Sequence, residues 1–234
     1  MDRISRKDLK TDKFAEEVTH TVEYLSEHKK ALLRWGGAAV AIVVIAVAVW
    51  AWRNYAKAQR QEELVQALRI QAANVGPPTG NPFLLSYPTA AEKEAAAKKA
   101  FSDIIAKHPG TEEAYVARFY LGVIAADAGR IQEAQKAFED VMANAKAPMA
   151  SVAKLALAQL LQAQNKLPEA EKLLRELMQK PTELVSKEQA TIALARVLAE
   201  TNPGEARKLL EPLRTARGPV SRAALNALAE LSTR

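Results

Sequence analysis

The chain of 234 residues is 49% apolar and 26% charged, with a formal net charge of +6 and a sequence pI of about 9.4. That length allows one sizeable domain plus an appendage, and the absence of cysteine excludes disulfides, thiolate catalysis and Cys-based zinc sites in either redox compartment. Acids and bases are interspersed in stretches such as EAQKAFED and EAEKLLRELMQK, as on solvated helix faces, so no nucleic-acid partner is expected.

Residues 1–30 form a charged leader. Thr11 is a candidate helix cap, and Phe14, Val18, Val22 and Leu25 follow at steps of 4, 4 and 3, giving an apolar stripe with Glu16, Glu17, Glu23 and Glu27 elsewhere. An amphipathic helix results, lying on a membrane surface or docking a partner. His20 and His28 lack a third ligand at metal spacing and are read as surface residues.

Residues 31–55 are predicted to be a transmembrane helix. WGGAAVAIVVIAVAVWAW, residues 35–52, has no charge, whereas the first 34 residues carry eight Lys/Arg and seven Asp/Glu. Eighteen residues at a rise of about 1.5 Å give roughly 27 Å of helix, close to the roughly 30 Å of a bilayer's hydrocarbon. Trp35 at one end and Trp50, Trp52 and Tyr55 at the other are candidate membrane-interface residues. Two rivals are a buried soluble helix and a cleaved signal peptide, the latter because Ala46-Val47-Ala48 resembles a cleavage site. The long, partly acidic leader argues against cleavage. Basic residues near the two ends number three before and four after, which leaves orientation open; five more upstream weakly favour a cytoplasmic N-terminus.

Residues 56–90 read as a connecting helix and a Pro-rich loop. Leu64, Leu68 and Ala72 at steps of four give the helix its apolar side. VGPPTGNPFLLSYPTA, with four prolines and two glycines, is expected to have no regular structure, and its Phe83, Leu84, Leu85 and Tyr87 are expected to pack against the first repeat.

Residues 91–234 repeat. Ala134, Phe138 and Val141 recur 36 residues on as Ala170, Leu174 and Leu177, and 36 further as Ala206, Leu210 and Leu213; Ala97, Phe101 and Ile104 lie 37 upstream. Leu121-Gly122, Leu157-Ala158 and Ala193-Leu194 keep the same register, and Gly129-Arg130, Asn165-Lys166 and Asn202-Pro203-Gly204 mark turns. Each unit is helix, turn, helix; residues 220–232 suit a C-terminal capping helix. Leu121-Gly122, Ala134, Phe138 and the run Ala97, Phe101, Pro109 resemble the tetratricopeptide repeat (TPR) over about residues 91–219, with departures at Ala158, Leu194 and the leucines that replace Phe. The resemblance implies an all-α fold: one N-terminal transmembrane helix, then a TPR-like α-solenoid of antiparallel helix pairs.

No HExxH, phosphate-binding Gly loop, G-x-S-x-G or calcium loop is present, so no enzyme, cofactor, metal site or small-molecule substrate is expected. His108 looks like a helix C-terminal cation. Function then lies in a surface. TPR arrays present a groove lined by the first helix of each pair, which here places Val116, Phe119, Tyr120, Val123 and Asp127, then Val152, Leu155, Gln159 and Gln162, as candidate protein-binding residues. An apolar groove of this kind suits an amphipathic helix or extended segment, unless the chain's own loop or leader fills it.

Leader, single span and repeats together resemble the bacterial family of membrane-anchored TPR proteins that serve as an ancillary subunit of the Sec translocon. That resemblance implies a cytoplasmic leader, an inner-membrane anchor, a periplasmic repeat domain, and the Sec channel and a membrane-anchored periplasmic chaperone as partners. The alternatives are an envelope-assembly or cell-division scaffold and a cytoplasm-facing tethered adaptor.

Overall fold

A computed structural model describes residues 29–77 and 85–232. The expectations for Thr11, Phe14, Val18, His20, Val22, Leu25, His28, Phe83 and Leu84 lie outside the described residues. Contacts divide the chain into two units, Met1–Ala58 and Gln59–Arg234.

Helix α1, Lys29–Gln71, has no proline, and its only glycines are the adjacent Gly36 and Gly37. Nothing after Gly37 removes a backbone donor or favours a bend, so the helix is uninterrupted. In the first unit its apolar stretch lies wholly in the open: Trp35, Ile42, Ile45, Val47 and Trp50 are all exposed. By length and composition this is a helix able to cross a membrane, with a mean hydropathy of 2.1 over 18 residues and none of that window buried. A signal sequence near an N-terminus has the same profile.

In the second unit the last turns of α1 supply Leu64, Ala67 and Leu68 to a cluster with Ala97, Phe101, Ile104, Ala117 and Ile124. This is the first helix of the array. The following segment departs from expectation. Two short strands, β1 (Asn74–Val75) and β2 (Ser86–Tyr87), pair in parallel, with Asn74 opposite Ser86 and Val75 opposite Tyr87. The Asn74 N–H donates to the Leu85 carbonyl at 3.0 Å and the Gly76 N–H to the Tyr87 carbonyl at 2.9 Å. Backbone hydrogen bonding thus gives the loop a regular base that its prolines had argued against. Tyr87 is half-buried, but Leu85 is exposed and does not pack as expected.

The repeats follow as α2 (Ala90–Lys107), α3 (Glu112–Asp127), α4 (Ile131–Asn144), α5 (Ala147–Ala163), α6 (Leu167–Gln179), α7 (Lys187–Thr201), α8 (Pro203–Leu210), a 3-10 turn (Glu211–Thr215) and α9 (Pro219–Ser232). Starts are capped by Thr89, Thr111, Ser186 and Asn202, whose side-chain oxygens accept from backbone N–H groups three residues on. Pro148 and Pro168 sit in first turns, where no N–H is needed. The ends of α3 and α5 share one device, 36 residues apart. Gly129 (φ 72°) and Asn165 (φ 59°) turn left-handed, and the next N–H groups, on Arg130 and Lys166, donate back to Ala125 and Leu161 at 2.8 and 2.9 Å.

Each helix from α2 to α8 packs mainly on its neighbours in sequence, as in a solenoid. Ala97, Phe101 and Ile104, Ala134, Phe138 and Val141, and Ala170, Leu174 and Leu177 are all buried, as the period required. The last triplet keeps only Ala206 and Leu210. Pro212 ends the α-helix, so Leu213 falls in the 3-10 turn and is half-buried. A buried residue that the apolar triplets do not mark is Val185, in the segment between α6 and α7, which is 1% exposed.

Candidate protein-binding surface

The candidate residues of α3 divide by environment. Phe119 and Tyr120 are half-buried and lie within an aromatic chain. Tyr120 stacks on Phe101 with centroids 5.3 Å apart and planes at 7°; Phe119 meets Tyr120 edge-on at 5.6 Å and Phe138 at 5.5 Å. The same rings that could greet a partner therefore join α2, α3 and α4. Val123 packs against the larger core and Val116 is half-buried. Asp127 is exposed at the end of α3, where it lines a hollow of about 230 Å³ with Gln71, Val75, Lys93 and Glu94. On α5, Val152 and Leu155 lean on the core, Gln162 is half-buried and Gln159 is exposed. The candidate face is thus apolar at α3 and amide-bearing at α5. Trp35, Trp50, Trp52 and Tyr55 are 78%, 65%, 71% and 64% exposed along α1.

A second concavity was not foreseen. Between α4 and α6, over α5, lie two adjoining hollows of about 430 and 390 Å³ that share Met142, Lys154 and Glu176. Leu157, Leu161, Leu173 and Leu177 contribute apolar lining. The Lys154 ammonium donates to Glu176 at 2.7 Å and holds that carboxyl below the usual carboxylate range. A sequence signal for this pair existed: Arg118 and Asp140, also ion-paired, stand 36 residues before Lys154 and Glu176. It is visible only when charges, as well as apolar residues, are aligned on the period.

Other ion pairs tie successive units. Glu94 accepts from Arg130 at 3.0 Å and is held below its ordinary value chiefly by that bond. Arg60 reaches the buried Glu113 at 3.3 Å. His108, the residue that ends α2, faces Glu63 through Nε2 at 3.3 Å. Among the described residues no group of three or more His, Asp or Glu side chains could hold a metal, and no buried side-chain nitrogen or oxygen lacks a hydrogen-bond partner.

Comparison with known proteins agrees with this architecture. The profile of the tetratricopeptide repeat-like domain matches residues 29–189, a stretch that includes the exposed apolar part of α1. Two solved structures of a Podosopora anserina chain, described as kinesin light chain nearly identical TPR-like repeats, are similar in fold. One is a single-substitution variant of the other. Each is 18% identical and covers 75% of this chain; they are matched over 85% and 86% of their own length, with TM-scores of 0.56 and 0.55. At that identity the likeness is one of fold. No curated protein sequence gives a significant match.

Proposed function

The chain belongs to the tetratricopeptide repeat-like domain family, and from that premise we propose that it is a non-enzymatic, membrane-anchored protein-interaction module, an ancillary subunit of the Sec translocon in a bacterial inner membrane. The observation that carries the membrane part is the apolar stretch of α1, uncharged and with none of its most apolar 18-residue window buried. A soluble protein exposing that many large apolar side chains would aggregate. The family match runs through this stretch, which supports its being retained as part of the mature chain.

The interaction part rests on the fold. TPR arrays are typically scaffolds that hold protein partners. In this reading the leader faces the cytoplasm and the array faces the periplasm. There Phe119, Tyr120 and Val123, with Val116, Asp127, Leu155, Gln159 and Gln162, receive an apolar segment of a partner. The Sec channel and a membrane-anchored periplasmic chaperone are the partners proposed.

Two measurements test this. Protease is added to intact cells, spheroplasts and lysed spheroplasts, and residues 57–234 are followed with an antibody. Cleavage that begins once the outer membrane is breached is the expected result; protection until the inner membrane is lysed overturns the periplasmic placement. Photo-crosslinkers at Phe119 and Tyr120 then report the neighbours. Crosslinks to the Sec channel or a periplasmic chaperone are expected, and exclusive crosslinks to division or outer-membrane assembly proteins would replace the translocon with a scaffold.

A further inference from the structure

We propose that the corner made by α8, the 3-10 turn and the start of α9 is a second docking surface, for an acidic protein segment that carries an apolar anchor. Residues 203–222 hold five Lys/Arg and two Glu. Both carboxylates are engaged: Glu205 accepts from Arg175 at 2.7 Å and Glu211 from Arg214 at 2.9 Å. Arg207, Lys208, Arg217 and Arg222 remain, all exposed and without an ion pair among the described residues. Ala206 and Leu210 bury the inner side of α8, so Arg207 and Lys208 are left on its outer side. The Ser221 hydroxyl donates to the Arg214 carbonyl at 2.7 Å, which holds the start of α9 against the 3-10 turn, with Arg217 in the link between them and Arg222 next to Ser221.

The excess positive charge belongs to this corner and not to the repeat in general. On α4, one lysine, Lys136, accompanies Glu133, Glu139 and Asp140. The surroundings also select the kind of anion. Residues 203–232 contain no Phe, Tyr or Trp, so bases of a nucleic acid have nothing to stack on. On α9, Leu225 stands out as the exposed large apolar side chain, 47% exposed and one turn beyond Arg222, with the exposed Asn226 beside it. A helix that lies on lipid needs a broad apolar face. One leucine amid arginines matches a protein segment that places a single apolar side chain and several carboxylates. This surface is independent of the α3 and α5 face and of the membrane reading.

The test uses the full chain in a neutral detergent and a fluorescein-labelled peptide, (Glu-Glu-Leu)5, followed by anisotropy at about 50 mM salt, where screening is weak. Removing the four free charges in R207Q/K208Q/R217Q/R222Q should weaken binding about tenfold or more. Removing four elsewhere, in K99Q/K136Q/K166Q/K187Q, should change it by less than about twofold. L225A should lower affinity for (Glu-Glu-Leu)5 but leave (Glu-Glu-Ser)5 unchanged. All of these positions are exposed, and circular dichroism checks that the variants stay folded. Equal losses in the two quadruple variants would reduce the effect to net charge and overturn the proposal. So would no measurable binding of the peptide, or a corner variant that loses anionic vesicles while binding the peptide as before.

Discussion

At Gly122 a missing side chain makes room for a large one. A Cβ built there would lie 2.7 Å from Cε1 of Phe138 and 3.0 Å from its Cδ1. The register position one unit on pairs Ala158 with Leu174, and the next pairs Leu194 with Leu210; all four are buried. The sequence departs from the TPR pattern at these places in a compensated way, with a larger residue on the first helix and a smaller one on the second. Gly122→Ala should therefore cost about 1–3 kcal/mol by overpacking, and Phe138→Ala about 3–5 kcal/mol by leaving a cavity. The double variant G122A/F138L, which copies the next unit, should be less destabilised than the sum of its single changes. Denaturant unfolding measures all three, and strict additivity would show that the two positions do not share space. The partly exposed acids Glu94 and Glu176 add a pH signature. Each has its folded value lowered from 4.5 by hydrogen bonding to Arg130 or Lys154. A lowered value means that their contribution is present above the unfolded value near 4.5 and disappears as pH falls through the folded one. Melting temperature should fall below about pH 4.5, and E94Q/E176Q should flatten part of that slope while lowering stability slightly at neutral pH.

Elements were legible wherever apolar spacing and turn residues agreed. The triplets built on Ala97, Ala134 and Ala170 mark α2, α4 and α6, and Gly129 and Asn165 mark the turns before α4 and α6. Where one signal acted alone, reading was poorer. The β1–β2 pairing rests on backbone hydrogen bonds, which leave no periodicity in four residues. The groove between α4 and α6 is a product of packing, with its lining drawn from three helices. On α3, Phe119 and Tyr120 meet each other, but their engagement with Phe138 and Phe101 joins residues of three helices, which apolar spacing within one helix does not show. The segment 180–186 hides a core residue because the positions one and two units before Val185 are Met149 and Glu113, which share no apolar pattern with it and lie inside helices. Val185 is held there by its own N–H donating to Thr182 Oγ1 at 3.2 Å and by the Thr182 N–H donating back to the Val185 carbonyl at 2.9 Å, while Thr182 Oγ1 lies 2.6 Å from Ser151 Oγ. Val185→Ala should cost about 2 kcal/mol, as much as a substitution in a helix. A change under about 0.5 kcal/mol would place Val185 with ordinary surface residues.

At the scale of the whole molecule, the chain joins two solvents' worth of chemistry in one helix: α1 begins with a stretch that water does not favour and ends in side chains that belong to the array's core. If the stretch is a span, its retention should depend on hydrocarbon burial alone. The membrane fraction should then hold the full-length chain through alkaline carbonate washing, with a mass that includes residues 1–52. Two arginines at its centre, V44R/I45R, should release the chain, because each charge at mid-bilayer opposes insertion by about 2.5–3.5 kcal/mol on the insertion scale. The apolar control V44L/I45L should have no such effect, since leucine is equally at home in lipid. The array makes the result interpretable. Its repeats pack on one another through Phe138, Leu174 and Leu210, so released protein should keep the same helical circular dichroism and the same protease-resistant core. Release with an intact array would assign the stretch to the bilayer; release with a melted array would assign it to the fold; and a mature N-terminus just beyond Ala48 would make it a cleaved leader.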